Sequence, residues 1–367
     1  MINLLMVEDD LSQQQLMEDA IEDYIEANNL EISINFSATA NDAILKLDQG
    51  KYDAVFVDLV LEGDSGTSAS GNEVIRHILN NHKLRLVVYV VSGTLHSLHT
   101  DFVDIFHNPL MKKFNRDESS DKILSELVNI VNTGVTKIFG TDGELESQIN
   151  EIFYKHLAKG FDWWAKPNKD VNRELLRYFT MHMLEYLDMP ITSPEGDGMS
   201  IKYLNPEFYI YPCIKTDIST GDITSHNGCR FITLSPACDI ERRSDGSYNT
   251  ERVLLAKVVK LDRDIFDSDC ITYSKKRNSG AWREFCKGMR GTNPRNRFHY
   301  LPEYLELDEA VIDFKNLCSV PLADYVDSQK YQRIATVSTP FLKDIQSRFS
   351  SYYARQGQPE ADWITSA

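Results

Sequence analysis

The chain has 367 residues, 42% of them hydrophobic and 26% charged, proportions that exclude a disordered or fibrous protein. Its formal charge of −16, from 39 Lys and Arg against 55 Asp and Glu, argues against a nucleic-acid binder, which shows a basic face that displaces counterions from phosphates. No run reaches the roughly 18 apolar residues of a membrane helix, and Ile2–Val7 is too short for a signal peptide, so a cytoplasmic protein without a membrane partner is expected.

A chain of this length predicts more than one core. Ile2–Val7 is an apolar run that ends in acids, Glu8, Asp9 and Asp10. Residues 12–28 have helical spacing (Leu16, Ala20, Tyr24; Met17, Ile21, Ile25), with Ser12 at the expected N-cap. Residues 31–36 alternate like a strand near a sheet edge, 41–47 form a short helix, and 54–59 (AVFVDL) are an apolar strand ending at an aspartate. A helix at 71–81, a buried strand at 84–91, a short strand at 110–114 and a helix at 119–132 that stops at Gly134 complete the series. Strands interleaved with helices predict an α/β unit over residues 1–135, a doubly wound five-stranded parallel sheet whose ligands bind beyond the carboxyl ends of the strands. Residues 136–192 read as a helical connector, with Pro167 between two amphipathic stretches. The Pro-, Gly- and Ser-rich segment 191–200 reads as a linker. Residues 193–367 form a β-rich α+β domain that closes on a helix at about 340–355.

The strand ends carry the chemistry. The first supplies Glu8 and Asp9, the third Asp58, the fourth Ser92 and the fifth Lys112. Taken singly, each acid reads as a solvated strand-to-loop residue. Three carboxylates at neighbouring strand ends are costly unless a cation joins them. Mg²⁺ fits, because it prefers oxygen ligands and bridges carboxylates to a phosphoryl group. Asp58 would then be a nucleophile toward phosphorus, with Lys112 and the Ser92 hydroxyl each binding a phosphoryl oxygen.

The segments LLMVEDD, AVFVDLVLEG, VVYVVSGT and LMKKF resemble the four signature segments of response-regulator receiver domains, over residues 1–133. The resemblance implies a flavodoxin-like fold and a sensor histidine kinase as phosphodonor. It makes Glu8 and Asp9 the acid pair at the metal, Asp58 the phospho-acceptor and the Val60 backbone carbonyl a metal ligand. Ser92 takes the Thr/Ser switch position and Lys112 the invariant-lysine position. The sequence departs from the family pattern in three places. The helix-starting glycine, Gly71, comes several residues late behind a Gly- and Ser-rich loop. Pro109 stands three residues before Lys112, where receivers carry a Tyr or Phe, and Lys113 stands where a proline is usual.

The second half offers no helix-turn-helix, phosphate-binding loop or nucleophile elbow. Its six cysteines, at 213, 229, 238, 270, 286 and 318, form no C-x-x-C pair, so reduced and mostly buried thiols are expected. Cys238 and Asp239, in SPACDIERR, form a speculative site that would need a histidine, His226 or His299, to activate the thiol. His226 and Cys229 have an H-x-x-C spacing that could hold a metal, though a buried cysteine in a β-core explains it more simply. Arg290, Arg295 and Arg297 form a small basic cluster, read as a solvated loop facing the surplus acids.

The phrases RFITLSPACDI, NRFHYLPEY and TPFLKDIQSRFSSYYARQGQPE, placed behind a receiver, resemble the receiver component of Detocs-type two-component antiphage defence. That resemblance implies a receiver that buffers or relays phosphoryl groups, without DNA-binding output, beside a second receiver-bearing effector protein. No enzyme activity is expected beyond self-phosphorylation and autodephosphorylation. The alternative is a receiver-gated nuclease or other hydrolase built on Cys238, Asp239 and the 290–297 loop. Self-association as a homodimer is left open.

Overall fold

The computed structural model describes residues 1–61, 70–165, 171–187, 203–262 and 297–355. The chain divides into two compact units, Met1–Gly196 and Asp197–Ala367. The linker expected at 191–200, most of the loop after Asp58, Arg290, Arg295, Cys270 and Cys286 lie outside the described residues.

In the first unit, strands β1 (Ile2–Val7), β2 (Ile32–Ser37), β3 (Ala54–Val57), β4 (Val87–Ser92) and β5 (Met111–Asn115) form one sheet in the order β2-β1-β3-β4-β5. Every pairing is parallel. The central strands are apolar throughout because both faces are covered. Leu5, Val7, Val55, Val57, Val88 and Val90 pack on α2 (Ala40–Gln49) and α3 (Gly71–Asn80). The alternate residues Leu4, Met6, Phe56, Tyr89 and Phe114 pack on α1 (Leu11–Asn28) and α4 (Ser120–Val131).

One detail differs from the sequence reading, and a second goes beyond it. The N-cap of α1 is Asp10, whose carboxylate accepts the Ser12 N–H at 2.8 Å, so Ser12 lies inside the helix. No α-helix joins β4 to β5. Two short 3₁₀ turns, Leu95–Ser97 and Thr100–Phe102, make the crossover. The buried Asn72 staples it to α3, donating to Ser97 O and accepting from His99 N–H, both at 2.9 Å.

After α4 come α5 (Val135–Phe139), α6 (Glu144–Ile152), α7 (Phe161–Trp164) and α8 (Asn172–Leu187). This helical stretch is fastened to the amino-terminal edge of the sheet. Thr136 Oγ1 donates to Asp53 Oδ1 at 2.5 Å, Arg85 donates to Phe139 O and Glu146, and Lys51 pairs with Asp142 at 2.8 Å.

The second unit is a seven-stranded antiparallel sheet in the order β10-β11-β9-β8-β7-β12-β6. Its strands are β6 (Tyr209–Ile210), β7 (Asp222–His226), β8 (Cys229–Thr233), β9 (Arg252–Lys260), β10 (Phe298–Leu301), β11 (Ala310–Pro321) and β12 (Gln332–Val337). One-turn helices α9 (Ala237–Ile240) and α10 (Leu322–Tyr325) punctuate it, and α11 (Thr339–Ala354) packs Ile345 and Tyr352 on Ile223, Ile312, Phe314 and Val337. Among the described residues no helix is long and apolar enough to cross a membrane.

Candidate functional site

The register of the parallel sheet brings the acids together. Val7 lies beside Val57, so Glu8 and Asp58 leave adjacent strands at one level, and the Asp58 N–H donates to Val7 O at 2.9 Å. Carboxylate oxygens of Glu8, Asp9 and Asp58 lie within 4.8 Å of one another, the single such group among the described residues. Glu8 and Asp58 are buried, at 2% and 7% exposure. Each has one oxygen tied to backbone: Glu8 Oε1 accepts the Asp10 N–H at 3.1 Å, and Asp58 Oδ1 accepts the Leu59 N–H at 2.8 Å.

The other two oxygens meet a side chain that the sequence reading passed over. Arg116 Nη2 donates to Glu8 Oε2 at 2.7 Å and to Asp58 Oδ2 at 2.8 Å. Lys112, expected here, is elsewhere: its ammonium pairs with Glu126 on α4. The cause is strand alternation. Lys112 and Phe114 point to the same face of β5, and Phe114 lies in the core beneath α1 and α4. Because β5 runs on to Asn115, aligned with Ser92, the first side chain beyond the carboxyl edge is Arg116.

Ser92 ends β4 fully buried, its Oγ accepting the Thr94 N–H and lying against Thr94 Oγ1, both at 3.2 Å. Val60, two residues past Asp58, packs half-buried on the core. Gly71 starts α3 against the Asp58 backbone, its N–H donating to Leu59 O at 3.1 Å.

Burial pushes the Glu8 carboxyl up to about 7, its partner Asp10 N–H opposing and the Asp58 charge adding, with Arg116 and Asp9 as lesser influences. Arg116 is shared between two of the three acids, Glu8 and Asp58. An all-oxygen donor set suits a hard divalent cation.

The speculative second-half site does not assemble. Cys238 is exposed on α9, its Sγ 3.8 Å from Asp239 Oδ1, and that oxygen also accepts from Asn249. Both candidate histidines are engaged elsewhere, His226 with Lys330 O and the Tyr331 ring, His299 with Asp344. The H-x-x-C spacing of His226 and Cys229 is that of a hairpin: they face each other across Asn227 and Gly228, with φ of 49° and 72°, as a two-residue primed turn requires. Arg297 forms a bidentate pair with Asp313, both contacts 2.9 Å, and lies over the Phe298 ring.

No protein-family model matches the chain, and no curated protein matches it. Solved structures do. A receiver domain (CheY-like) from Methylobacillus flagellatus is 19% identical, over 36% of this chain and 98% of that one, with a TM-score of 0.27. A CheY-like receiver domain protein from Methanospirillum hungatei is 14% identical, over 36% and 95%, with a TM-score of 0.27. The response regulator TrrA from Thermotoga maritima, solved in complex with Mg²⁺-BeF, is 19% identical, over 36% and 99%, with a TM-score of 0.26. At such identities the likeness concerns fold alone. By its own strand order, its wholly parallel pairing and the acids gathered at the carboxyl edge, the first unit has the fold of a receiver domain.

Proposed function

We propose that Asp58 accepts a phosphoryl group from a sensor histidine kinase, in a pocket that holds Mg²⁺ on Glu8, Asp9 and Asp58. The observation that carries this reading is the meeting of three carboxylates within 4.8 Å at one sheet edge, with Arg116 on two of them. Asp58 would attack phosphorus through the carboxylate oxygen not taken by the metal, as the bond to the donor nitrogen breaks, with the Leu59 N–H orienting the group through Oδ1. Mg²⁺, when bound, would neutralise charge gathering on the phosphoryl oxygens. The Val60 carbonyl is proposed as a further metal ligand. Arg116, rather than Lys112, would bind one phosphoryl oxygen, and the Ser92 hydroxyl another after leaving Thr94. A buffering or relaying role in antiphage signalling is part of the same proposal, and rests on the resemblance of the second half.

Incubation with acetyl phosphate and Mg²⁺ should raise the intact mass of the wild-type chain by one phosphoryl group, and Asp58→Asn should show no increase. A phosphorylated Asp58→Asn chain would remove the assignment. Metal binding should also depend on pH. With its pKa raised to about 7, Glu8 is protonated in much of the metal-free protein below that value, and a cation must displace the proton. Mg²⁺ affinity, measured by calorimetry, should rise from pH 6 to 8 and level off above. The same shift means that folding takes up a proton at Glu8 between its ordinary value and about 7, so this group contributes less stability as pH rises through that window. An affinity flat across the window would contradict Glu8 as a ligand.

A further inference from the structure

In the metal-free pocket, Glu8 and Asp58 each have one oxygen held by a backbone N–H of their own strand end. Those donors are part of the chain's path and cannot withdraw. The remaining oxygens, Glu8 Oε2 and Asp58 Oδ2, are both held by one atom, Arg116 Nη2. Arg116 reaches them from the rim. Its side chain is 33% exposed, while those of Glu8 and Asp58 are 3% and 7% exposed. So the two carboxylate oxygens that accept no backbone N–H are those covered by a guanidinium on a long, partly solvated side chain.

We infer that Arg116 is a displaceable clasp: a divalent ion enters this pocket only by taking Glu8 Oε2 and Asp58 Oδ2 from Arg116, which swings toward the rim. This rests on the metal-binding reading proposed above. The guanidinium serves as a resident counter-ion to the buried carboxyl pair while no metal is present. Once a divalent ion sits on the same oxygens, like-charge repulsion and the loss of both acceptors favour its departure. Arginine suits the task because it stays charged at any working pH and cannot relax the pocket by losing a proton. Lys112 cannot take over, since its ammonium is committed to Glu126 on the other face of the strand.

The test is the affinity of the full-length protein for Mn²⁺ and for Mg²⁺, compared with Arg116→Ala and Arg116→Gln, with Glu8→Gln as the marker of the site. Far-UV circular dichroism and thermal unfolding select the variant that remains folded; glutamine retains a polar side chain with most of the aliphatic stem. The clasp predicts tighter metal binding in the Arg116 variants by about tenfold, since a competing unit charge is removed at contact distance. It also predicts that saturating Mg²⁺ shifts the Arg116 side-chain nitrogen resonances of the wild type toward those of a solvent-exposed arginine. Metal binding to the wild type that is lost in Glu8→Gln but unchanged or weaker in both Arg116 variants would overturn the clasp and leave the pocket assignment standing. No metal binding to wild type or to either Arg116 variant would overturn both.

Discussion

Replacing Gly71 by alanine should unfold or severely loosen the first unit and abolish phosphorylation of Asp58. A β-carbon at this position would stand 2.1 Å from the Asp58 carbonyl oxygen and 2.8 Å from Leu59 Cα. Both are backbone atoms, so no rotamer change relieves the contact. Either α3 must lift from the sheet or the end of β3 must move, and β3 is hydrogen-bonded on both edges. Overpacking a core usually costs about 1–3 kcal/mol; a backbone overlap at the junction of strand and helix should exceed that, at roughly 3 kcal/mol or more. Urea unfolding of the full chain, followed by signals from each unit, should show the first-unit transition moving to lower denaturant with the second unchanged. A variant with wild-type stability and normal phosphorylation would show that α3 is not seated as described.

The second large effect is expected in the other unit. Asp222 is fully buried on β7. Its carboxylate accepts from Ser219 N–H at 2.7 Å and from Thr336 Oγ1 at 2.6 Å, and lies 2.9 Å from Arg333 Nε. Arg333 in turn donates from Nη1 to Lys215 O and Thr216 O. Asp222→Ala would leave a largely buried guanidinium without its counter-charge, which typically costs about 3–5 kcal/mol. Removing both charges together, Asp222→Ala with Arg333→Met, should recover much of the loss, because a neutral apolar pair has no ion to desolvate. Burial holds the Asp222 carboxyl above its ordinary value even against these donors. A carboxyl raised on folding contributes most stability at pH values below its unfolded pKa and loses that contribution as pH rises through the folded one. The single variant should therefore lose this part of the pH slope along with the stability. A double variant no more stable than the single would argue that the hydrogen bonds, not the charge, matter.

Most of the first unit could be read directly. Strands buried on both faces are apolar without interruption, so Ile2–Val7 and AVFVDL stood out, and the acids that end them fall at one sheet edge because parallel register aligns those ends. Gly71 was recognisable as the helix start despite its distance from Asp58, and the close approach to the Asp58 carbonyl explains why no other residue would serve. The error at Lys112 has a plain cause. The phrase LMKKF offers a lysine before a phenylalanine, whereas the pocket is reached by whichever side chain follows the end of β5. Phe114, an aromatic two residues after Lys112 and bound for the core, was the available sign that Lys112 shares its inward face. The 3₁₀ crossover was not legible, since Leu98, Phe102 and Phe106 are buried at intervals of four, the spacing of an α-helix, where the chain makes two short 3₁₀ turns. In the second half the strands were visible as apolar runs, but antiparallel order is fixed by contacts distant in sequence, and the Asp222–Arg333 pair spans more than a hundred residues.

Strand β3 has Asp58 at one end and, at the other, Asp53, which receives the Thr136 hydroxyl of the helical stretch. The two points are five residues apart, roughly 16 Å along an extended chain. Any influence carried between them by the sheet would be a thermodynamic linkage. Linkage has no preferred direction. If phosphorylation at Asp58 changed the affinity of the helical stretch for a binding partner by some factor, that partner would change the phosphorylation equilibrium by the same factor. Seen from Asp53, the helices are then as much an input to the pocket as an output from it.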